Sequence, residues 1–381
     1  MSDSGISTHN GDFMKTSGNE TIARYENAIV IRFPGKRNCV STSWLNGGYR
    51  EDLTAVFNHQ IPLNACEACH LPGGNVKTYL EEVACSLSLD PKTASGLMTR
   101  ADMRNAAFVA ESFRDLSVSA IVTGGIDVNG GRAGDPAAYY ETDGHCEPVG
   151  GTINIILIIN ADLPEYAIMK AFMTATEAKA AALQQVMARS RYSTGIATGS
   201  GTDMIAIIVD PTAKLRISNA GKHSKLGEMI GRSVIRATLL ALELETGLSP
   251  KSQRDMLVRL SRFFVTDEDL WNTTMARYRE LMPETISKEK FMRCLREKAQ
   301  EPALVTLISA ILHIIDEVEW GLLPKNEAKK VACQLIIKGL DLEEIPWEDK
   351  ESCFEQESIL QYLNKAISEF IIREIHFNIP K

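Results

Sequence analysis

The densest concentration of reactive groups in the chain is Ser193-Thr194-Gly195-Ile196-Ala197-Thr198-Gly199-Ser200-Gly201-Thr202-Asp203. Glycines let a backbone approach a ligand closely, and N–H groups aimed at one place can cradle an anion or a carbonyl oxygen. The hydroxyls and the single carboxylate add donors, acceptors and a proton carrier. The plainer reading of the same residues is a tight turn between strands.

Two further groups have chemical potential. Gly221-Lys222-His223-Ser224-Lys225 stands at the start of a helix, with Ser224 as its N-cap; an imidazole beside the positive helix end can serve as general base. Glu177 lies with Thr174, Thr176 and Lys179 in a stretch of small residues that leaves room for a ligand. Each also reads as solvated surface. Cys66-Glu67-Ala68-Cys69-His70 fits C-x-x-C-H, which in an exported protein suggests covalent haem; no second pair of ligands lies at metal spacing and no export signal precedes it, so core or loop thiols are expected, with a metal or redox module on Cys66, Cys69 and His70 as the weaker alternative.

The elements that must carry these groups can be read from hydrophobic periodicity. Residues 1–24 are polar and aperiodic and predict a mobile arm. Asn27–Phe33 and Asn38–Leu45, joined by Pro34-Gly35-Lys36-Arg37, predict an antiparallel hairpin. Helices are expected over 74–89 and Asn105–Phe113, and a short strand over Thr93–Thr99. The run from Ser117 reads as a buried strand ending in glycines, followed by the glycine-rich loop Asn129–Asp135.

Thr152–Asn160 and Met204–Asp210 are apolar on both alternating faces, as central strands covered on both sides must be. Helices follow each, from Pro164 to about Met187 and from Ser224 to Glu245. Beyond Leu248-Ser249-Pro250 only helical texture remains, including Leu304–Val318 and Ile359–Glu374. The expected fold class is therefore α+β, a mixed sheet covered by helices over 25–248, with an additional C-terminal all-α domain over 249–381.

The 381 residues are 44% hydrophobic and 24% charged, enough to bury a substantial core, and no window approaches the roughly eighteen apolar residues of a membrane span. The polar N-terminus lacks the pattern of a secretory leader, which predicts a cytoplasmic protein whose eight cysteines stay reduced. The net charge of −8 is shared evenly by the parts before and after residue 250, so no basic footprint marks nucleic acid or anionic lipid as a partner. No P-loop, H-E-x-x-H, G-x-S-x-G or complete G-x-G-x-x-G is present.

Taken in order, Leu45-Asn46-Gly47-Gly48, Gly96–Thr99 with Ala101-Asp102-Met103, Thr123 with Asn129–Pro136, Gly151–Ile159, Thr174–Ala182, Arg191–Asp203 and Gly221–Gly231 resemble the adenosylcobinamide amidohydrolases of corrinoid salvage. The resemblance spans about 25–248. It departs in the helical extension and at Gly124-Gly125, where an alanine–glycine pair is expected.

What the resemblance implies is hydrolysis of the amide between a corrin propionyl side chain and aminopropanol, giving adenosylcobyric acid and 1-amino-2-propanol. Its alternative is a non-catalytic corrinoid-binding or delivery protein. In the catalytic form, His223 or Glu177 acts as base, Asp203 orients or shares the proton, and the 198–202 backbone, with Thr198, Gly199, Gly201 and Thr202, holds the oxyanion and substrate. Asn46, Gly47, Gly48, Thr123, Arg132 and Asp135 shape the corrinoid pocket. Cobalt enters within the substrate, and no protein-bound cofactor is expected. The C-terminal helices can serve as a homo-oligomer interface, a docking face for a protein partner or a cover for the cleft; composition does not choose among them.

Overall fold

The structure, a computed structural model, describes residues 13–62, 71–137, 152–278, 286–342 and 358–377. The chain forms two compact units, Met1–Ser249 and Pro250–Lys381.

The first unit is built on two sheets. One has five strands in the order β1 (Phe13–Lys15), β2 (Thr21–Arg24), β3 (Ala28–Arg32), β6 (Ala55–Gln60), β7 (Ala94–Thr99). The other has six, in the order β5 (Gly48–Arg50), β4 (Asn38–Ser41), β13 (Met204–Val209), β11 (Ile153–Ile159), β9 (Leu116–Gly124), β8 (Ala107–Phe113). A two-residue ribbon pairs β10 (Gly130–Gly131) with β12 (Gly199–Ser200).

Alternation along β11 explains the layering. Ile153, Ile155, Leu157 and Ile159 pack with helices α2 (Glu165–Gln185) and α3 (Lys225–Thr246), whereas Ile156 and Ile158 join the cluster that includes the five-stranded sheet and α1 (Val76–Ser86). Every residue of β11 and β13 is buried, which matches strands covered on both faces. The two pair in parallel, Ile153 antiparallel to Gly124 on the far side.

Helix α3 begins where Ser224 accepts the Gly227 amide and ends at Gly247 in the left-handed region, φ 73°. Its buried stripe runs from Leu226 through Met229, Ile230, Val234 and Ala237 to Ala241; Leu244, which continues the apolar period, is exposed.

Three sequence expectations are corrected. The strands β3 and β4 do not form a hairpin: β3 pairs with β2 and β6, and β4 with β13 and β5. The intervening turn carries the chain from one sheet to the other, fixed by the buried Arg37, which pairs with Glu20 at 2.6 Å and Asp210 at 3.4 Å. Ala107–Phe113 is a strand, not a helix, because seven consecutive positions pair with β9. Residues 13–15 and 21–24 are strands rather than part of a mobile arm, since β2 pairs with β3 along its whole length.

The second unit contains α4 (Met256–Ser261), α5 (Asp267–Tyr278), α6 (Lys288–Lys298), α7 (Pro302–Glu319), α8 (Lys325–Gly339) and α9 (Ile359–Phe377). Phe291, Leu295, Ile308, Ile311, Ile336, Leu363 and Ile367 form its core. Within it, Arg262 grips Asp316 through two hydrogen bonds of 2.8 and 2.6 Å. No helix of the described residues is long and apolar enough to cross a membrane.

Candidate functional site

The expected site residues fall into separate neighbourhoods. The first lies where α2 passes the turn before α3. Lys170, Met173, Thr174, Glu177, Asn219 and the segment 221–224 line a cavity of about 520 Å³, a size suited to a small ligand. His223 and Glu177 share this groove, and both are exposed. Glu177 is tied to Lys222 at 2.5 Å.

The turn is held firmly. Ser224 Oγ donates to the Gly221 carbonyl at 2.8 Å, Asn219 Oδ1 accepts the Gly221 amide at 2.9 Å, and Thr174 Oγ1 donates to the Ala220 carbonyl at 2.8 Å. Gly227 makes this packing possible, since a Cβ there would stand 2.0 Å from the Gly221 carbonyl oxygen.

Asp203 is elsewhere. Glu177 and Lys179 are two residues apart on α2, and side chains at that spacing do not share a face. Lys179 turns to the other flank of the helix and forms an ion pair with Asp203, the two side chains only 8% and 9% exposed. Asp203 does not reach the His223 groove as a proton partner; its carboxylate is committed at the start of β11 and β13. Oδ1 accepts from the Ile153 amide at 2.8 Å and the Ser200 hydroxyl at 2.7 Å, and Oδ2 accepts from the Ser200 amide at 3.0 Å and from Lys179.

Above this pair runs the β10–β12 ribbon. Three of its amides are spent internally: that of Thr198 donates to the Gly131 carbonyl, that of Ser200 to Asp203 and that of Thr202 to Ser200 Oγ. Those three N–H groups therefore do not form the expected oxyanion cradle. Thr198 Oγ1 accepts from the Ala133 amide at 3.0 Å, Gly199 is buried, and Gly201 is exposed at the tip.

Arg132 and Asp135 border the ribbon. The Arg132 amide donates to Asp135 Oδ2 at 2.7 Å, and Ser190 Oγ donates to the same oxygen at 2.5 Å. Burial pushes the Asp135 carboxyl up, but the hydroxyls of Ser190 and Ser193, the Arg132 amide and the Arg132 charge outweigh it and hold it below the usual range. Arg132 itself is exposed and lies across Gly195.

The remaining expected pocket residues have other work. Asn46 donates from Nδ2 to the carbonyls of Pro91 and Ala94, each at 2.7 Å, so it latches the β4–β5 turn onto the segment leading into β7. Gly47 is required there by close approach, a Cβ falling 2.1 Å from the Ser43 carbonyl oxygen, and Gly48 takes φ 81°. Thr123 is buried between the sheets, where its hydroxyl accepts from Asn58 Nδ2 at 2.8 Å.

That hydroxyl belongs to a polar seam that sequence reading missed. Asn154 Nδ2 donates to Asn58 Oδ1 and to the Met98 carbonyl, each at 2.8 Å, and Thr152 Oγ1 donates to the Thr202 carbonyl at 2.6 Å. In the sequence Lys179 stands out only as a neighbour of Glu177. Its signal lay in position, a charge within the buried stripe Ala175, Ala178, Ala182, Leu183. The motif Cys66–His70 lies outside the described residues. Among the described residues no group of three or more His, Cys, Asp or Glu side chains is arranged to hold a metal.

Comparison with known proteins places this unit among relatives. A Methanocaldococcus jannaschii protein, uncharacterized, is 34% identical over 226 residues, covering 56% of this chain and 85% of its own. The adenosylcobinamide amidohydrolase of Methanosarcina mazei is 28% identical over 231 residues, covering 58% of this chain and 96% of its own. A solved Pyrococcus horikoshii structure aligns at 12% identity over 61% of this chain and 81% of its own with a TM-score of 0.27, too distant a likeness to bear on the fold. The family model for adenosylcobinamide amidohydrolase matches residues 13–250, which takes in both sheets, the ribbon, the Lys179–Asp203 pair and the groove. The chain belongs to the adenosylcobinamide amidohydrolase family.

Proposed function

We propose that the chain hydrolyses the amide of adenosylcobinamide to adenosylcobyric acid and 1-amino-2-propanol. Support comes from family membership over residues 13–250 and from the Methanosarcina mazei relative that bears this name. The geometric observation that carries the reading is the Ser200–Asp203 contact, a hydroxyl 2.7 Å from a carboxylate in the glycine ribbon.

Amide hydrolysis needs a proton acceptor for the attacking oxygen, stabilisation of the tetrahedral oxyanion and a proton for the departing amine. Asp203 answers the first and third needs, because a carboxylate that takes the hydroxyl proton can return it to the amine. The hydroxyls of Thr198, Ser200 and Thr202 and the side chain of Arg132 suit the neutral amide arms of a corrinoid. Its cobalt belongs to the substrate.

The open groove favours a second assignment, with His223 and Glu177 as the base pair. What favours Asp203 over Glu177 is the Ser200 hydroxyl 2.7 Å from its carboxylate. Placed outside the reaction centre, the groove holds a polar arm of the substrate.

The test is incubation of the purified chain with adenosylcobinamide and chromatography of the corrinoid product. Adenosylcobyric acid in multiple turnovers is the expected result. Tight binding of unchanged cobinamide would instead mark a binding or delivery protein, and neither product nor binding would remove the assignment.

A further inference from the structure

Lys179 is the one charged residue on a buried helix face otherwise made of alanines with Ile168, Thr174 and Leu183. A buried ion pair is rarely the most stabilising solution at such a site, since apolar residues of similar volume often do as well or better. Here the pair also dictates its surroundings. Asp203 receives four donors from three elements: the first residue of β11, the amide and hydroxyl of Ser200 on β12, and Lys179 on α2.

The arrangement has the form of an activated nucleophile. A hydroxyl stands within hydrogen-bond reach of a base, and the base is oriented by a third group. Ser200 is half-buried on the ribbon, whereas Lys179 is buried on the helix behind the carboxylate. Lys179 and the two amides fix the carboxylate plane, leaving Oδ1 turned to the hydroxyl.

Given the amidohydrolase reading above, on which this rests, we infer that Ser200 is the nucleophile, Asp203 its base and Lys179 the residue that positions that base. Ser200 Oγ bonds to the amide carbon while its proton passes to Asp203 Oδ1 and the carbonyl π pair moves onto oxygen. Collapse of the tetrahedral adduct breaks the C–N bond, and the amine leaves with the proton from Asp203. Water then adds to the resulting ester, gives its proton through Asp203 back to Ser200, and releases the carboxylic acid. The structure thereby assigns a covalent corrinoid-acyl enzyme to this chain.

The corrin chromophore makes the intermediate visible. Full-length protein is mixed with excess adenosylcobinamide, quenched in acid during turnover and denatured, and the corrin absorbance carried by the protein is located by peptide mass mapping. An adduct on Ser200 is expected. An adduct on any other hydroxyl, Thr152 or Thr202 included, overturns the assignment, as does product formation with no adduct together with an active Ser200→Ala enzyme.

Ser200→Ala should lower kcat about a thousandfold, with circular dichroism unchanged. Lys179→Met should lower kcat by about tenfold to a hundredfold with KM within about threefold, and Lys179→Arg should recover part of the loss, as a positioning role requires. Equal kcat in Lys179→Met and wild type overturns that role. Wild-type turnover reads the amidohydrolase assignment independently: product without a Ser200 adduct, together with an active Ser200→Ala enzyme, leaves that assignment standing and removes only the covalent route, and the absence of product removes both.

Discussion

Gly199 lies so close to Asp203 that a Cβ would fall 2.2 Å from Oδ2, and 2.6 Å from the Lys179 ammonium. The glycine is therefore a condition of the buried ion pair, not merely a flexible turn residue. Gly199→Ala forces either the ribbon or the pair to move. Overpacking of this kind costs roughly 1–3 kcal/mol, and the displaced Asp203 should lower kcat at least about tenfold. Denaturant midpoints and turnover measured on the same preparation check both outcomes; wild-type behaviour in both would show that the pair tolerates displacement.

Asn46 gives the contrasting case of a residue expected to bind substrate and found latching two strands. Its amide bonds to Pro91 and Ala94 tie the turn before β5 to the segment entering β7. Asn46→Ala leaves two acceptors without that donor and should cost about 1–3 kcal/mol, with KM for adenosylcobinamide unchanged. A raised KM at constant stability would restore the residue to the substrate pocket.

What the sequence made legible was periodicity and punctuation. The doubly apolar runs at Thr152–Asn160 and Met204–Asp210 became β11 and β13, and the stripe after Ser224 became α3 with its expected cap. Pairing was harder to read, because a short Pro-Gly turn looks the same whether it closes a hairpin or crosses between sheets. The partners decide it, β2 and β6 for β3 and β13 and β5 for β4, with Arg37 bracing the crossing through Glu20 and Asp210. Ala107–Phe113 shows the same limit: helical spacing yields where a neighbouring strand offers seven paired positions. The site residues were found as types but not as partners, since Asp203 and His223 are close in sequence yet only the fold sets Lys179 beside one of them.

His223 supplies a direct comparison between the two candidate centres. It lines the groove with Glu177 and Lys222, on the other flank of α2 from the Lys179–Asp203 pair. His223→Ala should raise KM about twofold to tenfold and leave kcat within about threefold, the signature of lost uniform binding. A hundredfold fall in kcat would move the reaction into the groove.

His59 makes stability depend on pH. Its ring is buried between the sheet and α1, with Nε2 and the Tyr79 hydroxyl 2.9 Å apart. Burial drives its pKa from 6.5 down to about 4, only partly offset by the Asn27 backbone. The unfolded chain thus binds more protons than the folded one between those values, so stability rises with pH across that window. The contribution is full above about pH 6.5 and is lost as pH falls towards 4, by at most about 3 kcal/mol. Urea midpoints from pH 4 to 7 should show this slope in the wild type and a shallower one in His59→Gln, and parallel slopes would place the titration elsewhere.

In the helical unit, the buried Arg262–Asp316 pair joins the end of α4 to α7 through hydrogen bonds of 2.8 and 2.6 Å. Removing one partner leaves the other charge buried and uncompensated, so Asp316→Leu or Arg262→Met alone should destabilise by about 3–5 kcal/mol. Replacing both removes the desolvation penalty together with the attraction. The double variant should therefore be more stable than either single one, and close to wild type if the two apolar side chains fill the space. Urea unfolding followed by helical circular dichroism of the full chain measures all four proteins. Additive losses in the double variant would mean that the two side chains stabilise the unit independently, not as a pair.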